Sequence, residues 1–281
     1  MAWSEHQHAQ LRAMGLRLWS PPVPQDGFPG AAAVPASDAP PESAPEPAPA
    51  PARAPIRQPL VTSVRVAEPM PARATAAGSG ALSTLGWAEL RAAVAQCQAC
   101  TLCESRTQTV FGVGHEQAQW MVVGEAPGEN EDKQGEPFVG AAGQLLDRML
   151  AALKLTRSSE GEEGPSQRVY IANTLKCRPP RNRNPSPEEM AQCEPFLVRQ
   201  IELLKPRIIL AMGRFAVQAL LRSDEPIGRL RGRVHHYQGV PLVVTYHPAY
   251  LLRSPLDKAK AWDDLCLAAD VAEGMHGSGR P

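Results

Sequence analysis

The chain has 281 residues, with 29 Lys and Arg against 29 Asp and Glu, so its formal net charge is zero. Taken whole, that balance argues against a partner as acidic as nucleic acid, because phosphate contacts need Lys and Arg. The charges are unevenly spread, however. Residues 86–167 hold six basic and twelve acidic side chains and residues 168–233 thirteen and six, so a single-sign face stays open to a neutral chain.

Residues 4–19 place Leu11, Met14, Leu16, Leu18 and Trp19 among polar residues, as a short amphipathic helix would. The plainer reading is a frayed terminus, the sharper one a docking peptide for a protein partner. Residues 21–80 contain 15 Pro and 15 Ala, and so have few large apolar groups to offset chain entropy. The expected organisation is a short segment over 1–20, a Pro/Ala-rich linker over 21–85, one globular domain over 86–275 and a tail over 276–281. The first residues lack a basic stretch followed by an apolar run, and no apolar stretch approaches the roughly 20 residues of a membrane span. A soluble, cytoplasmic, monomeric protein without a membrane partner is expected.

From residue 86 onward the pattern becomes regular. Residues 87–95 read as a helix and 120–123 as a short buried strand, which ends in the turn-rich Gly124-Glu125-Ala126-Pro127-Gly128. Residues 142–153 repeat apolar groups at helical spacing, and 169–172 read as a second strand. Ser186-Pro187-Glu188-Glu189 is a helix start, with Ser at the cap, Pro at the first position and acids in the first turn. That helix should stop at Pro206. A strand over 208–211, a helix over 215–221, a strand over 241–245 and a last helix over 258–272 follow. Alternating strands and helices imply an α/β domain, three-layer αβα, with a central, mostly parallel four-stranded sheet. Working residues of such sheets gather at the strand carboxyl ends. Glu125, Asn173 and His247 stand at three of them.

Cys97, Cys100 and Cys103 are spaced C-x2-C-x2-C, and Cys177 and Cys193 follow. Four thiolates can complete a tetrahedral zinc site or hold an iron–sulfur cluster, and spacing does not choose between them. One of the first trio is surplus. Cys266 lies among apolar residues of the last helix and reads as a core thiol.

Several ordered blocks then become specific. They are Cys97-x2-Cys100; Gly124-Glu125-Ala126-Pro127-Gly128; Gly135-Glu136-Pro137-Phe138-Val139-Gly140; Asn173-x3-Cys177-Arg178-Pro179-Pro180; Cys193; and His247-Pro248-Ala249-Tyr250-Leu251-Leu252-Arg253. In this order they resemble the family 4 uracil-DNA glycosylases, over Cys97 to about Asp264. The resemblance implies base excision repair on uracil-containing DNA, single- or double-stranded, in association with the nucleoid. It also implies a structural [4Fe–4S] cluster on Cys97, Cys100, Cys177 and Cys193, with Cys103 as bystander.

The same resemblance assigns the site residues. Glu125, Ala126, Pro127, Phe138, Asn173 and His247 would bind uracil, with Phe138 stacking on the base. The Asn173 amide would donate to O4 and accept from N3–H, a pairing that cytosine cannot match. His247 would stabilise charge on O2 of the departing base. The family's more familiar relatives carry an Asp where Ala126 stands, so Glu125 or Glu131 is left to orient water. Leu251, with Leu252 as substitute, would fill the gap left by the flipped base, and Arg253 would hold a phosphate. The basic loop with Arg178, Arg181 and Arg183 would meet the DNA backbone. Rival readings are a superfamily relative with other deaminated bases or covalent DNA trapping, and a non-catalytic iron–sulfur DNA-binding module. A nucleotide-binding protein is disfavoured, since 124–128 carries neither phosphate-loop pattern.

Overall fold

Uninterrupted apolar runs build four central strands. A computed structural model describes residues 82–274. The expected segment at 4–19, all but the last residues of the linker, and the tail at 276–281 lie outside the described residues. The described residues start a little before the boundary at 86 drawn from composition; Leu82 is buried and the Arg199 Nε donates to the Leu85 carbonyl.

The helix α1 spans Trp87–Ala95. The strands are β1 (Val113–Gly114), β2 (Trp120–Gly124), β3 (Val169–Asn173), β4 (Ile208–Met212), β5 (Val234–Tyr237) and β6 (Val240–Thr245). Further α-helices among the described residues are α2 (Glu129–Gln134), α3 (Ala141–Ala152), α4 (Pro187–Leu204), α5 (Arg214–Leu221), α6 (Ile227–Leu230), α7 (Pro248–Arg253) and α8 (Lys258–Ala272). The sheet order is β1-β3-β2-β4-β6-β5.

The sheet is therefore six-stranded and mixed, not four-stranded. β3, β2, β4 and β6 run parallel, as expected, while β1 and β5 add antiparallel edges. The edge strands are too short, or too polar, to carry an apolar period. In Val234-His235-His236-Tyr237 no side chain is fully buried, and His235 Nε2 bonds the Leu230 carbonyl at 2.7 Å, a structural use of that histidine.

Side-chain alternation splits the sheet into two cores. Trp120, Val122, Ile171, Leu210 and Val243 face α3 and α8 through Leu146, Met149, Leu150, Trp262 and Leu265. Met121, Val123, Ala172, Ile209 and Val244 face α4 and α5 through Leu197, Ile201 and Val217. This is the three-layer αβα arrangement. A third, smaller core holds Leu90, Val94, Leu102, Leu175 and Phe196 around Cys177 and Cys193.

α4 begins as its sequence demands. The Ser186 hydroxyl accepts from the Glu189 N–H, and the Glu189 carboxylate accepts from the Ser186 N–H. It ends at Lys205, in the left-handed region, just before Pro206. β3 and β4 lie on opposite sides of β2, so the chain reverses direction across the sheet there. Crevices at the carboxyl ends of strands form at such a point. In register, Gly124 lies opposite Asn173 and Met212 opposite Thr245, with His247 two residues on.

Candidate active site

A cleft of about 190 Å³, open to solvent, lies at that switch point. Glu125, Ala126, Pro127, Glu131, Phe138, Asn173 and His247 all line it. The loop after β2, the turn before α3, the end of β3 and the start of α7 each supply part of the wall, so the residues that sequence placed at separate strand ends do converge.

Asn173 is 2% exposed, and its Oδ1 has no hydrogen-bond partner. A buried acceptor left bare costs roughly 1–3 kcal/mol, so such an atom facing a cleft marks a place for a ligand donor. The Asn173 backbone is braced from behind. Lys176 Nζ, itself buried, donates to the Asn173 carbonyl at 2.9 Å and to Gln200 Oε1 at 2.6 Å.

His247 caps its own helix, its Nδ1 accepting the Ala249 N–H at 3.2 Å. That bond assigns the neutral tautomer, with the proton on Nε2. Removal from bulk water, and then the nearby Arg253 charge, push the imidazole down from 6.5 to about 4, while Glu131 pulls weakly the other way. The ring is thus a neutral N–H donor at neutral pH. Phe138 stacks beside it, with ring centroids 5.4 Å apart and planes 28° from parallel.

Phe138 is 5% exposed and holds φ at 56°, in the left-handed region. Two glycines make room for it: Gly124 of the strand-end motif, and Gly143, which sequence reading did not single out. A Cβ on Gly124 would lie 2.4 Å from Asn173 Oδ1 and 2.7 Å from the Phe138 ring, and one on Gly143 would lie 1.7 Å from the Phe138 carbonyl oxygen. The signal of Gly143 was only a glycine inside a helix.

The two acids differ. Glu131 Oε2 accepts from Gly128 N–H, and its Oε1 accepts from Val139 N–H and Gly140 N–H at 3.0 and 3.2 Å. It is a brace between α2 and the Phe138 loop. Glu125 is half-buried, and no described residue donates a hydrogen bond to its carboxylate. Burial raises its carboxyl above the ordinary value, and the Arg214 charge offsets this in part. Arg214, exposed at the start of α5, was not singled out from sequence.

These geometries can be set beside known proteins. A family model described as Uracil DNA glycosylase superfamily matches residues 111–266. The type-4 uracil-DNA glycosylase of Archaeoglobus fulgidus is 44% identical over 170 residues, covering 58% of this chain and 81% of that protein. The chain belongs to the uracil-DNA glycosylase superfamily. Its relatives there include the type-4 enzymes of Pyrobaculum aerophilum, 41% identical over 189 residues (64% of this chain, 91% of the relative), and Thermotoga maritima, 42% identical over 163 residues (57% and 80%).

Around the cleft, the family-based expectations for the rim change in part. Leu251 is 1% exposed and packed in the core with α3 and α8. On the short α7 it turns inward, and its neighbour Leu252, 45% exposed, turns outward beside exposed Arg253. The arginine loop is also partly engaged. Arg183 grips Glu189 with two bonds of 2.8 and 2.6 Å, and Arg178 bonds Asn182 and reaches Glu129. Arg181, at φ 56°, is exposed.

On the other side of the Asn173–Cys177 segment, one apolar cavity is lined by Cys97, Cys100, Cys103, Cys177 and Cys193, with Arg106 and Phe196. Cys177 Sγ accepts from Arg106 Nη1 at 3.0 Å, and Cys193 Sγ accepts from the Lys176 N–H at 3.2 Å. Among the described residues no three candidate ligands are gathered tightly enough for a metal ion. Cys266 packs, half-buried, against the α8 side of the core.

Proposed function

We propose that this chain removes uracil from DNA by hydrolysing the N-glycosidic bond, leaving an abasic site for base excision repair. One observation carries the reading. The bare Asn173 Oδ1, the neutral His247 N–H donor and the Phe138 ring share one cleft. A flipped base needs a face to stack on, an edge to read and a donor for its charge.

Phe138 supplies the face. Asn173 Oδ1 accepts the uracil N3–H and its amide nitrogen donates to O4, whereas cytosine brings an acceptor to the first and a donor to the second. His247 Nε2–H donates to O2 as the base leaves. A neutral donor suits this step, since it strengthens as negative charge develops and needs no proton exchange. Glu125, the unengaged carboxylate of the pair, orients water or balances charge on the sugar. Glu131 is assigned to positioning, because both its oxygens hold backbone amides. Leu252 replaces Leu251 as the apolar group offered to DNA, and Arg253 and Arg181 contact phosphate.

The cysteine cavity fits an iron–sulfur cluster better than one ion. Its lining is apolar, and two of the sulfurs receive N–H donors as cluster thiolates do. We assign a [4Fe–4S] cluster to Cys97, Cys100, Cys177 and Cys193, with Cys103 at its border. When bound, it would supply a cross-link and no chemistry of its own to the excision.

The deciding assay is a uracil-containing oligonucleotide incubated with the full chain and then treated with alkali. Breakage at uracil is expected. Asn173→Asp should slow it by about tenfold or more and relax rejection of cytosine, because the new carboxylate repels O4. Unchanged rate and selectivity would overturn the assignment of Asn173.

A further inference from the structure

We propose that Arg157, oriented by Asp147, is a positioning residue that holds the Phe138 ring in the cleft; the inference rests on the functional reading above. Arg157 does not line the cleft. It lies between α3 and β3, outside every motif block of the sequence.

An aromatic residue enters the left-handed region only where neighbours impose it. The peptide joining Phe138 to Val139 is gripped from both sides. Its carbonyl accepts from Arg157 Nη2 at 2.8 Å, and its N–H donates to Glu131 Oε1 at 3.0 Å. The flanking groups repeat the pattern. Arg157 Nη1 holds the Pro137 carbonyl at 2.9 Å, and Glu131 holds the Gly140 N–H. Rotating Phe138 to an ordinary negative φ would carry these groups off their partners and swing the ring away from His247.

The guanidinium is itself fixed. Its Nε and Nη2 donate to Asp147 Oδ1 and Oδ2 at 2.8 and 2.7 Å, a bidentate pair on α3. Both ends of the fork are therefore used, one on a carboxylate and one on two carbonyls. A lysine ammonium cannot copy that planar arrangement. Gly143 completes the clamp by letting α3 approach the Phe138 carbonyl.

The test is a double-mutant cycle in the full chain, read with hydrogen exchange of the free protein. Arg157→Met should lower the single-turnover excision rate about tenfold while DNA affinity changes by less than about twofold, since a misplaced stacking ring harms alignment. On a Phe138→Ala background the same change should cost less than about twofold, because the ring through which Arg157 acts is gone. Arg157→Lys should behave like Arg157→Met. Amide exchange should rise over residues 135–143 and stay unchanged in the sheet. Equal losses with and without the Phe138 ring, or unchanged exchange over 135–143, would overturn the proposal. Asp147→Asn, a milder change, carries the same cycle if Arg157→Met does not fold, with a loss of about threefold expected. A wild-type chain that leaves uracil-containing DNA intact would strike the functional reading alone, because the exchange measurement reads the clamp without substrate.

Discussion

The cleft and the cysteine cavity lie at the two ends of one short segment, residues 173–177, yet treat their buried polar atoms in opposite ways. In the cleft, Asn173 Oδ1 is buried without a partner. In the cavity, Cys177 and Cys193 each receive an N–H donor. The first arrangement keeps hydrogen-bonding capacity in reserve for a molecule that comes and goes. The second satisfies its acceptors within the chain. Lys176 joins them, its backbone N–H serving Cys193 and its ammonium bracing Asn173.

The contrast can be broken from either side. Cys193→Ser should abolish the broad iron–sulfur absorbance and lower Tm, since a structural metal group contributes directly to folding. Survival of the absorbance in that variant would remove Cys193 from the ligand set. His247→Ala should leave the absorbance intact and slow excision by about 10²–10³, the usual cost of losing one donor to a developing anion. If the rate falls by less than about tenfold, His247 is not that donor.

The rim sharpens the comparison further. Leu251→Ala should destabilise the fold by about 2–5 kcal/mol in denaturant unfolding, because it empties a buried site. Leu252→Ala should leave stability within about 0.5 kcal/mol and weaken DNA binding instead. The reverse pattern would restore Leu251 to the DNA surface. Glu125→Gln should lower the rate about tenfold. Its raised carboxyl must ionise to orient water, so wild-type activity should fall as pH drops through a value above the ordinary carboxylate range. His247, pushed down to about 4, titrates below the raised Glu125 carboxyl. A pH–rate profile whose acid limb survives Glu125→Gln would assign the limb to another group.

Much of this was legible in the chain. The helices at 87–95 and 258–272 stand within the residues that their apolar spacing marked, and the capping sequence at Ser186 set the start of α4. The four central strands were readable as continuous apolar runs, since both their faces are covered. The edge strands β1 and β5 were not, because an edge needs no apolar period. α2 and α7 were missed as helices because six residues hold less than two full turns.

Local chemistry thus determined the elements, the strand ends that carry Glu125, Asn173 and His247, and the cysteine set. Only tertiary structure decided which residues use those places. Glu125 and Glu131 look alike in sequence, but backbone amides from a loop eight residues on capture one and leave the other free. Leu251 and Leu252 are identical side chains, divided by the roughly 100° turn between neighbours on a helix. Arg157 has no motif at all, and acquires its role because folding brings it against carbonyls about twenty residues earlier. Hydrogen bonds and packing between distant residues carry no local period, and for that reason the sequence could name the site but not finish it.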